Sequence, residues 1–238
     1  MDIKPMDPAN RLSAAAADVA GLRALTEHPE RRAELRVWQA ARLERTHSDL
    51  LASPRYRAAT RFFLDELYGS KDFSQRDAEL ARVIPALVKF LPNSALVTIA
   101  DAVELDALSE RLDLCMVRVL QADAQLGHRP IDAPAYARAY CQAGAPADRQ
   151  RQIELVEHVG RTLDGLVRHP MIGALLKTMA RPAQLAGLGA MQDFLSRGFV
   201  VFRDMRGADA FLRVLVERET QLMRSLYAGE PEPFTTSL

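Results

Sequence analysis

A carboxylate set in the middle of an apolar stripe is the strongest chemical signal in this chain. Leu212, Leu215, Val216, Leu222, Met223 and Leu226 surround Glu219 at helical spacing, while its neighbours Glu217 and Arg218 point elsewhere. Burying an unpaired carboxylate is costly, so Glu219 must either meet a cation from another helix or anchor a ligand. With 27 Arg against 4 Lys, that cation would be an arginine. His47 shares a face with Val37, Ala40, Leu43, Leu50 and Leu51, which turns its imidazole inward, as a satisfied core histidine or as a ligand contact. Gly187 and Gly198 fall on the buried side of a stretch carrying Leu188, Met191, Phe194, Leu195, Phe199 and Phe202. Glycine within a helix is about 1 kcal/mol less favourable than alanine, so either a neighbouring backbone approaches closely or an apolar molecule needs the space. Glu219, His47, Gly187, Met191, Phe194 and Gly198 are therefore the candidate ligand-binding residues.

Signals for catalysis are weaker. The chain has no GxGxxG, Walker loop, GxSxG, HExxH or CxxC motif. Glu154 and His158 stand four apart, but they lie with Arg161 opposite Ile153, Val156, Val159, Leu163 and Leu166, on what reads as a solvated face. Asp101, Glu104, Asp106, Glu110 and Asp113 share one long helix and suggest a di-iron bundle. That chemistry needs Glu-x-x-His on two helices, and the chain contains none. Asp106, Glu110 and Asp113 instead read as an outward acidic stripe, and Asp101 and Glu104 as opposing the apolar face of their own half. Neither metal nor cofactor is expected.

The elements that position these residues are helical. In 238 residues, 37 Ala and 32 Leu outweigh 21 Ile plus Val, and no segment alternates with the period of a strand. The expected fold is all-α, a bundle of about nine helices without a sheet. Charge balances at 31 basic and 31 acidic residues, so the overall field does not favour nucleic acid. No segment approaches the roughly 20 apolar residues of a membrane span. Cys115 and Cys141 sit in apolar helical patterns without metal spacing, as small core residues do. With no basic, apolar leader at the start, the expected location is cytoplasmic.

Proline and glycine divide the pattern. Helix two is expected over about 30–52, and one helix over about 182–205. The apolar face of the long helix changes side near Glu104, so that helix either breaks there or lies between two neighbours. Pro85 should kink its helix. Residues 121–134 hold two Pro and one Gly without periodicity and read as a linker between an N-terminal half (1–120) and a C-terminal half (135–228), which could still pack as one domain. The tail 229–238 carries no core signal and is expected to be mobile.

Phe62-Phe-Leu-Asp-Glu-Leu-Tyr-Gly69, followed by Asp72-Phe-Ser-Gln-Arg-Asp77 and by Leu96 to Glu110, resembles an uncharacterised bacterial family named for a Phe-Phe-Leu-Glu-Glu-Leu-Tyr motif. Asp65 stands where that name has Glu. The resemblance spans about residues 54–115 and implies a soluble helical bacterial protein with no assigned activity. Read physically, the motif is a helix with Phe63 and Leu67 inward, Arg61 paired with Asp65, and Gly69 at its end. Asp72 and Asp77 can accept from Arg76 or from free amides at the next helix start. The function expected is non-catalytic binding of a small apolar molecule or a partner protein, with a homodimer left open. The competing reading is a metal or haem enzyme using His47, Glu219, His28, His128, His158 or His169.

Overall fold

The computed structural model describes residues 7–67, 74–90, 93–122 and 129–234, and every regular element among them is a helix. In chain order these are α1 (Pro8–Ala24), α2 (Pro29–Thr46), α3 (Ser48–Ala52), α4 (Arg57–Leu67), α5 (Ser74–Phe90), α6 (Asn93–Ala122), α7 (Ala133–Gln142), α8 (Pro146–Val167), α9 (Pro170–Leu185), α10 (Gly189–Asp204) and α11 (Asp209–Tyr227). Five of them place a proline in the first turn: Pro8, Pro29, Pro134, Pro146 and Pro170. A missing N–H costs nothing there, because the first amides have no acceptor within the helix. Asp132 caps α7 by accepting from the Ala135 amide at 2.9 Å.

The all-α architecture matches the sequence expectation, but two helices each divide in two. The stretch 30–52 breaks at His47, whose backbone (φ −114, ψ 27) leaves the helical region between α2 and α3. The stretch 182–205 breaks at residues 186–188, so that α9 continues through Pro182 to Leu185 and α10 starts at Gly189. Gly187 takes φ +69, a left-handed conformation that suits glycine, and Arg82 holds this turn by donating to the carbonyls of Ala186 (2.7 Å) and Gly187 (3.2 Å). Small apolar residues on both sides of the turn keep the helical period, which is why the break leaves no mark in the pattern.

The 30-residue α6 runs unbroken through Glu104, sandwiched between neighbours. Leu96, Ala100, Val103 and Ala107 pack with Leu12, Ala15 and Val19 of α1 and Ile84 of α5. Leu105, Leu108 and Leu112 pack with Leu155 of α8 on the other side. Pro85 lies within α5, which continues to Phe90.

The helices before and after the 121–134 segment share cores. Leu35, Met116 and Leu120 meet Tyr136, Ile153, Leu222 and Leu226, and Leu50 and Ala59 meet Phe211 and Leu215. The middle of the expected linker, 123–128, lies outside the described residues, as do 235–238 of the tail. Before that point Pro233 is buried and Phe234 packs edge-on against Trp38 (5.4 Å) and Tyr136 (5.9 Å).

Candidate functional site

Most of the interior charge is matched by opposite charge. Contrary to the expected outward stripe, Glu110 is only 5% exposed. It accepts from Arg23 (3.0 Å), Arg32 (2.9 Å) and Arg36 (2.7 Å). Asp106 accepts from Arg23 at 2.7 Å, Asp77 also pairs with Arg23, and Asp101 and Glu104 accept from Arg11 at 2.7 and 2.6 Å. The acidic side of α6 looks solvated when the helix is read alone. It is buried because α1 and α2 lay arginines across it. Burial works to raise the Glu110 pKa, but Arg36, Arg23 and Arg32 outweigh it and hold the carboxyl below its ordinary value.

The motif helix α4 joins this framework. Phe62 stacks on Phe194 of α10 (5.6 Å), Phe63 packs beside the Phe211 cluster, and the buried Glu66 pairs with Arg197 (2.6 Å). Arg61 reaches Glu44 at 2.6 Å, correcting the expected pairing with Asp65, because α2 presents a carboxylate within reach. Asp77 also lies 3.6 Å from Arg76 Nε. The contacts expected of Leu67, Gly69 and Asp72 fall outside the described side chains.

Beneath the paired layer is a cavity of about 40 Å³ between α2, α4, α6, α7, α8 and α11. Helical spacing brings its walls together: Gln39 and Arg42 from α2, Tyr136 and Tyr140 from α7, Arg149 and Gln152 from α8, and Leu215 and Glu219 from α11. Asp113 of α6 closes one side and accepts from Gln39 Nε2 at 2.8 Å. A space of this size holds roughly three waters or a molecule of a few heavy atoms.

Glu219 pairs with Arg42, and the fully buried His47 brings Nε2 to 3.5 Å from the same carboxylate oxygen. Burial alone would raise the Glu219 pKa; the Arg42 charge and both partners' contacts overcome it and hold it at about 2. Glu219 and His47, singled out separately in the sequence, thus form one cluster with Arg42.

Arg149 is different. It is 3% exposed, yet among the described residues it makes no ion pair, and its Nε has no hydrogen-bond partner. Its remaining nitrogens donate to Gln152 Oε1 (3.3 Å) and to the weak acceptor Met116 Sδ (3.1 Å), and the guanidinium lies 4.1 Å from the centre of the Tyr140 ring. Gln39 Oε1, also buried, has no partner among the described residues. Asp113 is the nearby counter-charge, but burial pushes its carboxyl above the ordinary value, against the lowering pull of Gln39 and Arg149. The sequence reading misses Arg149 and Gln39 and takes Asp113 only as part of the outward acidic stripe: Arg149 stands among Asp148, Gln150 and Arg151, and the groups that give Gln39 and Asp113 their meaning lie on other helices. The faint signal was Arg149 at helical spacing from Gln152, Ile153 and Val156.

The other four candidates lie elsewhere, along α10 and the turn before it. Phe62 occupies the space beside Gly198, where an added Cβ would sit 3.2 Å from the ring. Met191 offers its amide to the buried Glu79 (2.8 Å) near the start of α10, and Phe194 lies between Phe62 and the Arg76 guanidinium. Gly187 serves the turn. His158 approaches Asp101 at 3.2 Å from an exposed position. Among the described residues no three His, Cys, Asp or Glu side chains gather where a metal ion could be held, and no helix is long and apolar enough to cross a membrane.

No curated protein and no solved structure matches the chain. A family model does, over residues 18–233, nearly its whole length. The chain belongs to the family described as Domain of unknown function (DUF8198).

Proposed function

We propose that this protein acts by binding rather than by catalysis, and that its cavity takes a small anion, such as a short carboxylate, against Arg149. The observation that carries this reading is a guanidinium 3% exposed at a cavity wall without an ion pair among the described residues. A buried cation without a counter-charge is strongly unfavourable, and a bound anion would remove that cost. Gln152 and the Tyr140 ring orient the guanidinium at the cavity wall, a planar donor group suited to an oxyanion. The ligand class therefore moves from the apolar molecule first expected beside α10 to a polar one beside α8. Glu219 and His47 become the support for this site: they fix Arg42 on the facing wall, and Glu219 is already committed to that pair.

Asp113 gives the site a pH dependence. An anion binds better when this carboxyl is protonated, so affinity should rise as pH falls toward the raised Asp113 pKa and weaken at higher pH. The test is thermal unfolding of the protein in anion-poor buffer, titrated with formate, acetate and nitrate as sodium salts, together with native mass spectrometry of freshly purified material. Saturable stabilisation by one of these anions, larger at lower pH, is expected. Indifference to all three, with no small molecule retained in the mass spectrum, would overturn the reading.

A further inference from the structure

The segment that follows α11 crosses a wall of the cavity. α11 ends in a Schellman turn, in which the Gly229 amide donates to the Leu226 carbonyl (3.0 Å), the Glu230 amide to the Ser225 carbonyl (3.1 Å), and Gly229 takes φ +69. This turn sends the chain back along α7. Tyr227, before the turn, packs on Tyr140 (5.8 Å), and Phe234, after it, lies edge-on to Tyr136 (5.9 Å), about one helical turn earlier on α7. Ala228 to Glu232 are all exposed, and the chain turns inward at Pro233 and Phe234. Phe234 also meets Trp38 of α2 at 5.4 Å, so the segment spans α7 and ends on a second helix.

α7 is the cavity wall that most depends on such a hold. At ten residues it is the shortest helix lining the cavity, and helices of that length are marginal by themselves, so packing fixes its place. Its buried face carries Tyr136 and Tyr140, both on the cavity, and the Tyr140 ring lies 4.1 Å from the Arg149 guanidinium. Trp38 stacks on Tyr136 at 3.9 Å while Phe234 covers an edge of the same ring. Outward movement of α7 would draw the Tyr140 ring from Arg149 and widen the cavity there. We propose that residues 228–234 form a releasable strap that locks α7 as the movable wall of the cavity, and that release of Phe234 opens the cavity beside Arg149.

The composition of the strap suits reversible docking. Its bridge is exposed throughout, and Phe234 keeps part of its surface in water, so the segment belongs to the low end of local opening free energies. Pro231 and Pro233 restrict the bridge when it is undocked, so docking again loses little conformational freedom. Release would not reach every wall alike. Gln39, Asp113 and Arg149 stand on α2, α6 and α8, which meet the strap at Trp38 alone among the ring contacts of Phe234. The strap rests on this packing, whereas its use as a gate for anion exchange rests on the anion reading above.

Hydrogen exchange read by mass spectrometry tests the strap on the full chain, together with acrylamide quenching of Trp38, the single tryptophan. Phe234→Ala should raise the quenching of Trp38 roughly twofold and speed exchange of the α7 amides about tenfold, as loss of a local anchor allows. Exchange in α6 and α8 should stay at the wild-type rate, and Phe234→Leu, which keeps the apolar bulk, should return α7 most of the way to wild type. Exchange in α7 that Phe234→Ala leaves unchanged would overturn the proposal. So would acceleration spread equally over α6, α7 and α8, which would make Phe234 an ordinary part of the core. Carbon-13 formate gives a second measurement: its exchange between bound and free, read by saturation transfer, should quicken at least about fivefold in Phe234→Ala. Formate that binds both proteins and exchanges at equal rates would overturn the opening beside Arg149. Formate that binds neither would overturn the anion reading alone, and the α7 exchange still decides the strap.

Discussion

The contact of α6 with α1 and α2 and the outer face of α9 reverse the ordinary placement of polarity. In the first, Glu110, Asp106 and Asp101 lie under arginines inside the molecule; in the second, Met171, Leu175, Met179 and Leu185 face outward. The difference shows that hydropathy alone does not decide burial here. A carboxylate can go inside when a neighbouring helix supplies guanidinium groups at hydrogen-bond distance, and a leucine can remain outside when no element is left to cover it. Arg149 belongs to neither case, being buried like the first group and unpaired among the described residues.

The sharpest break of this contrast should come at Glu110. Truncation to Ala leaves Arg23, Arg32 and Arg36 gathered without their shared anion and should cost on the order of 3–5 kcal/mol in urea unfolding. A change under about 1 kcal/mol would mean that this layer is held by its apolar contacts alone.

Glu219 comes next. Its folded pKa of about 2 lies below the ordinary 4.5, so its contribution is fully present above about pH 4.5 and is lost as pH falls through 2. At 1.36 kcal/mol per pH unit that contribution is roughly 3 kcal/mol. Glu219→Gln should lower neutral-pH stability by about this amount and flatten the acid limb between pH 4.5 and 2. An acid limb identical to wild type would place the carboxylate outside any pairing.

The smallest effect is expected on the other side of the comparison. Met171→Glu and Leu185→Glu should alter the unfolding free energy of the dilute protein by no more than about 0.5 kcal/mol, because neither side chain leaves a core. A larger loss would show that α9 packs on its own chain more tightly than its exposure indicates.

The legibility of these features in the sequence follows the same division. Glu219 was readable because apolar residues surround it along one helix, so its partial burial and its need for a cation were local facts. Glu110 was misread: its own helix is apolar on other faces, and only the arginines of α1 and α2, 74 to 87 positions away, make its burial tolerable. The all-α class came from residue preferences that act within each segment. The break at Gly187 escaped because Ala186, Leu188 and Gly189 continue a helical pattern that the φ +69 turn interrupts. The cavity escaped altogether, since Gln39, Asp113 and Arg149 come from three helices and acquire meaning only when those helices pack.

Substitution of Arg149 is the most direct test of the anion site. In anion-poor buffer, the urea-unfolding free energy of Arg149→Met should be compared with that of Arg42→Met, which strips the partner from Glu219. Removing a paired arginine should cost on the order of 3 kcal/mol, whereas removing an unpaired buried one should leave stability within about 1 kcal/mol of wild type or raise it. The Arg149 variant should also lose the stabilisation by small anions that wild type shows. If Arg149→Met costs as much as Arg42→Met and responds to anions as wild type does, then Arg149 is a structural partner of Asp113 and the cavity is not an anion site.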